Sequence, residues 1–94
     1  MATDYEFDAK KNQWLKDNRG IGFDEIISLI GEGCLLAVLD HPNPSRYPHQ
    51  KVFVVDVEGY TYLIPFEEKA DRYFLRTIYP SRKMTKVFLT ERKK

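Results

Sequence analysis

The chain has 94 residues, 43% of them hydrophobic and 31% charged, which sets a single domain over residues 1–94 as the expectation and leaves no room for a second sizeable core. The formal charge of +1 hides a division, since residues 1–75 carry 8 basic and 13 acidic side chains whereas residues 76–94 carry 7 basic and 1 acidic, an acidic body with a basic end. One cysteine, Cys34, excludes an intrachain disulfide and a multi-cysteine zinc site, and no apolar run reaches membrane-spanning length, so a cytoplasmic protein is expected.

Residues 4–8 alternate, with Tyr5 and Phe7 on one side and Glu6 on the other, the pattern of a brief strand. Asp8 then suits an N-cap and Gly20 a C-cap for a first helix on which Trp14 and Leu15 form a thin apolar stripe. Phe23, Ile26, Ile27 and Ile30 recur at helical spacing behind Asp24 and Glu25, which predicts a second helix closed by Gly31 or Gly33. CLLAVLD reads as a buried strand. Pro42, Pro44 and Pro48 make the next segment a stiff loop, and KVFVVDV and YTYLIPF then form a hairpin around Glu58-Gly59.

Pro65 cannot donate to a ladder, so the second hairpin strand should end near it or expose that position on an edge. Residues 67–71 read as a polar turn and 72–79 as one more strand, with Phe74, Arg76 and Ile78 on one face and Tyr73, Leu75, Thr77 and Tyr79 on the other. A basic segment follows in which Met84, Val87 and Phe88 would line the apolar side of a short helix, while Arg92, Lys93 and Lys94 read as a solvated tail. The order predicts an α+β fold: a short strand and two helices packed on one face of an antiparallel meander, with a C-terminal basic segment and the second sheet face left for solvent or a partner.

Little conventional chemistry is on offer. Gly20-Ile21-Gly22 joins two helices and lacks a preceding strand, which excludes a dinucleotide or nucleoside-triphosphate loop. His41 and His49 share a loop without a third ligand at metal-site spacing, so no metal and no cofactor are expected. What stands above background is a set of bases around the strands: Lys51, Arg72, Arg76, Arg82, Lys83 and Lys86, with Ser81 among them, able to gather around phosphate if folding brings them together. Exposed tyrosines among Tyr47, Tyr60, Tyr62, Tyr73 and Tyr79 would add stacking surfaces for unpaired bases.

The stretch FDAKKNQWLKDNRGIGFDEI resembles the opening of the BrnT-type toxins, and TIYPSRKMTK resembles the end of that family's strand with its following Arg-Lys pair. The resemblance spans most of the chain and departs from the family pattern at Arg19, where a histidine is common, and at Pro65-Phe66-Glu67, where a His-Thr-Glu type of end is common. It implies a RelE-like fold and a ribonuclease toxin of a type II toxin–antitoxin system. It further implies a small ribbon-helix-helix antitoxin as partner, RNA as substrate, and contact with operator DNA only through that antitoxin. Carried over by position, the family's basic surface falls on Lys51, Arg76, Ser81, Arg82 and Lys83.

Metal-free RNA cleavage requires deprotonation of the 2′-hydroxyl, stabilisation of charge on the phosphorane and protonation of the leaving oxygen. The expected roles are phosphate stabilisation by Arg82 and Arg76 and proton transfer by Lys51 or His49, with Arg72, Ser81, Lys83 and Lys86 holding RNA. The alternative is a non-catalytic binding module of the same fold, and a third class is a toxin directed at gyrase.

Overall fold

The computed structural model of the chain describes residues 4–90; Arg92, Lys93 and Lys94 lie outside the described residues. The elements run β1 (Asp4–Phe7), α1 (Ala9–Arg19), α2 (Phe23–Gly31), β2 (Leu35–Asp40), β3 (Gln50–Val57), β4 (Tyr60–Lys69), β5 (Arg72–Leu75), β6 (Tyr79–Pro80) and α3 (Arg82–Thr85), the last passing into a wider π turn over Lys86–Thr90. None of the described helices is long and apolar enough to cross a membrane.

Both ends of α1 follow from single residues. The Asp8 carboxylate accepts from the amides of Lys10 and Lys11, and Gly20 closes the helix in the left-handed region at φ +73. α2 has Asp24 and Glu25 in its first turn, where the helix dipole favours acids, and buries Phe23 and Ile26. The hairpin turn places Glu58 and Gly59 at φ 54 and 87, the pair of positive values that matches the twist of the joined strands.

The sheet runs β1-β5-β4-β3-β2, with β6 beside the first half of β4. It is mixed rather than antiparallel, because β1 pairs parallel with β5. At that edge the inward side chains of β1 are covered, Tyr5 against Tyr73 and Phe7 against Phe23. β2 is the opposite edge strand and not a buried one, with Val38 48% exposed. An apolar run of strand length cannot tell a central strand from an edge.

Further expectations change from Pro65 onward. β4 continues through the proline to Lys69, so 67–69 belong to the strand and the turn shrinks to Ala70 and Asp71. Residues 72–79 do not form one strand: β5 ends at Leu75 and β6 begins at Tyr79, and both Leu75 and Ile78 are buried in the same core, which breaks the expected alternation. In the C-terminal segment Met84 and Phe88 are half-buried, whereas Val87 is exposed because the π turn rotates it away.

The main core lies between the helices and one sheet face, built from Leu15, Phe23, Ile26, Phe53, Val55, Ile64 and Phe66 with Leu75 and Ile78. Phe53 and Phe66 stack with ring centroids 3.9 Å apart. The other face is not left open, since the segment from α3 packs on β4 and both Val54 and Thr61 are fully buried. The Thr61 hydroxyl has no hydrogen-bond partner among the described residues.

Two stability changes of opposite sign are expected. Phe66→Ala should lower the free energy of unfolding by about 3–5 kcal/mol, because a large ring leaves a cavity between the two layers. Thr61→Val should raise it by about 1 kcal/mol, since it removes a buried hydroxyl with nothing to bond. Urea unfolding at unchanged slope measures both, as midpoints displaced in opposite directions.

Candidate functional site

The bases singled out from the sequence fall into three groups, arranged by the alternation of β4. Tyr62, Ile64, Phe66 and Glu68 share the face covered by the helices, and Thr61, Leu63, Pro65 and Glu67 share the other. Lys51 pairs in register with Phe66 and belongs to the helix face, where its ammonium lies 3.5 Å from Glu68. His49 precedes β3. Its carbonyl accepts from the Glu68 amide at 2.9 Å, and it lines a shallow cleft with Glu68, Ala70, Asp71 and Tyr73. That cleft is more acidic than basic.

Arg72 and Arg76 occupy the other face with Phe74. Arg72 is ion-paired to Glu6 and lies 3.8 Å from Asp71. The hydrogen bond to Glu6 comes first among the causes that hold its guanidinium above the ordinary arginine value. Arg76 is freer, with Glu67 at 3.5 Å and its guanidinium 5.6 Å above the Phe74 ring. At half exposure such contacts are weak, and phosphate can compete for the arginine.

Arg82, Lys83 and Lys86 form the third group, exposed on α3 and the turn after it, with no carboxylate in ion-pair contact among the described residues. The segment is held by its own hydroxyls. Ser81 Oγ accepts from the Met84 amide at 3.1 Å, while Thr85 Oγ1 accepts from the Thr61 amide and donates to the Ser81 carbonyl, each at 2.8 Å. The Ser81 hydroxyl is thus a helix cap first.

The second and third groups share one edge. The Arg76 amide donates to the Pro65 carbonyl and the Ser81 amide to the Thr61 carbonyl, four residues apart on β4, a spacing of roughly 13 Å. Arg76 and Arg82 therefore lie along the same border of the sheet. Lys51 lies on the opposite face, with His49 just before it in the chain, so the expected convergence of Lys51 or His49 with the two arginines around one phosphate does not occur.

Sequence reasoning passed over a further contributor to that border. The Arg19 guanidinium donates to the Ile78 carbonyl, tying the end of α1 to the link between β5 and β6. Trp14 is 45% exposed, beside Lys11 and Arg19, whereas Leu15 is the buried member of the stripe. The signal available was an aromatic flanked by bases on a helix with almost no apolar face.

On the helix side of the sheet, burial and the neighbouring Tyr73 push the Tyr5 phenol above its ordinary 10.0. As pH rises past that ordinary value the unfolded chain loses this proton first, so stability should decline there. Tyr5→Phe is expected to flatten that alkaline decline while leaving the neutral region unchanged in its pH dependence, measured by urea midpoints from pH 8 to 11. Comparison of the chain with protein families, with curated proteins and with solved structures finds no match.

Proposed function

We propose that this chain is the toxin of a type II toxin–antitoxin pair, a metal-independent ribonuclease that arrests growth and is neutralised by a small antitoxin. The observation that carries the reading is the set of bases Arg82, Lys83 and Lys86, without a carboxylate in ion-pair contact among the described residues and continuous with Arg76 along one sheet border, whereas Lys51 and Arg72 are ion-paired. The order of motifs shared with the BrnT-type toxins supports it. In this reading Arg82 stabilises the phosphorane, where negative charge grows most, Arg76 holds a neighbouring phosphate, and Lys83 and Lys86 draw the RNA backbone in as point charges.

His49 and Lys51 stand apart from that border, so the reading rests on charge stabilisation, usually the largest single contribution to such catalysis, with solvent water taking the 2′-hydroxyl proton and supplying one to the leaving 5′-oxygen. The acidic body has a role here too. With a net charge of −5 over residues 1–75, it repels RNA elsewhere and attracts a basic antitoxin segment.

A second reading, a non-catalytic module that binds a protein or nucleic acid through the same border, is favoured by the separation of His49 and Lys51 from the arginines. Expression of the chain separates the two. The ribonuclease reading expects growth arrest with fragmented cellular RNA, and Arg82→Ala should lower cleavage by about 10²- to 10³-fold while the variant stays soluble and folded. Normal growth and intact RNA at high levels of soluble protein would leave only the module.

A further inference from the structure

α1 puts little of its own surface into the core. Of its eleven residues only Leu15 is buried, and its large aromatic, Trp14, faces outward at 45% exposure. The bases of this helix are Lys10, Lys11, Lys16 and Arg19. Lys16 is turned to α2, 3.1 Å from Asp24. Lys11 and Arg19 instead flank Trp14, with the ammonium 4.8 Å and the guanidinium carbon 5.4 Å from the ring centroid.

This cluster is joined to the border already described at two points. Lys11 and Arg76 line one cleft of about 400 Å³ together with Asp8, Phe74 and Leu75. Arg19 is bonded to the Ile78 carbonyl, between Arg76 and Arg82 in the chain. The acid in the cleft, Asp8, has its carboxylate turned to the amides of Lys10 and Lys11 as the helix cap, and among the described residues Glu67 is the one carboxylate on Arg76.

We infer that α1 forms a second part of a single-stranded RNA site, in which a base stacks on Trp14 and the phosphates beside it are held by Lys11, Arg19 and Arg76. The inference rests on the RNA-directed reading above and extends it from the reacting phosphate to the neighbouring nucleotides. An exposed tryptophan among cations offers the two things a single strand presents at regular intervals, a π face and a negative charge. Exposed cation–π contacts are weaker than base stacking, so an incoming base displaces Lys11 from the ring and frees its ammonium for phosphate. Stacking is tolerant of base identity, which makes this half of the site one of affinity rather than sequence choice.

Trp14 is the sole tryptophan of the chain, so its emission reports on the site directly. The probe is a 2′-O-methyl oligouridine of roughly a dozen nucleotides, which cannot be cleaved, titrated into the full chain. Saturable quenching of Trp14 is expected. A 5′-labelled copy followed by anisotropy should bind about 10-fold more weakly to Trp14→Ala, near normally to Trp14→Phe, and with a shallower salt dependence to Lys11→Ala, all three variants keeping the wild-type circular dichroism. Labelled RNA that binds with unchanged tryptophan emission, or equal affinity for Trp14→Ala and wild type, would overturn the inference while leaving Arg82-dependent cleavage standing. A wild-type chain that neither binds the oligonucleotide nor cleaves RNA would remove both.

Discussion

Because Pro65 has no amide hydrogen, β4 cannot offer an unbroken ladder on its outer edge, and the chain beyond it divides into β5 and β6. The Pro65 carbonyl points to that edge, where it accepts from the Arg76 amide at 2.8 Å. On one side of this break β5 pairs with Phe66 to Lys69, and on the other β6 pairs with Tyr62 and Leu63. The proline keeps its place because the missing donor falls in the gap and not against β3, where Val52 faces it. Arg76, Thr77 and Ile78 cross the gap, and Ile78 is fully buried there, so the break is packed and its geometry is set. Everything assigned to phosphate binding hangs on this crossing.

Ion pairing then sorts the bases that the crossing brings near. Arg72 is held by Glu6 from the parallel edge strand, and Lys51 by Glu68 on the far face. Those carboxylates use up charge that would otherwise be available to an anion, whereas α3 has no acid in its first turn and is capped by the Ser81 hydroxyl. Exposed pairs of this kind add little to stability. Their larger effect is to confine positive potential to one border of an otherwise acidic body, from Arg76 to Lys86, with α1 contributing Lys11 and Arg19 from the other side.

The separation of His49 and Lys51 from Arg76 and Arg82 is a consequence of strand alternation. Glu67 and Glu68 are adjacent in the chain and project to opposite faces, one meeting Arg76 and the other Lys51. Two bases that each sit beside a strand end can therefore be near in topology and far in function. A linear sequence shows the strand ends but not which residue of the partner strand they meet.

The α1 caps, the periodicity of α2, the Glu58-Gly59 hairpin and the α+β order were legible in the sequence, because each depends on residues within one turn of each other. The basic end was legible as composition. Tertiary structure alone decided that β1 runs parallel beside β5, that β2 is an edge, and that β4 continues through its proline. It also decided that Trp14 faces outward beside Arg19 while Arg19 reaches a carbonyl 59 residues away. Local rules govern caps, turns and face periodicity. Register, edge position and the joining of α1 to the basic border depend on which distant surfaces bury one another.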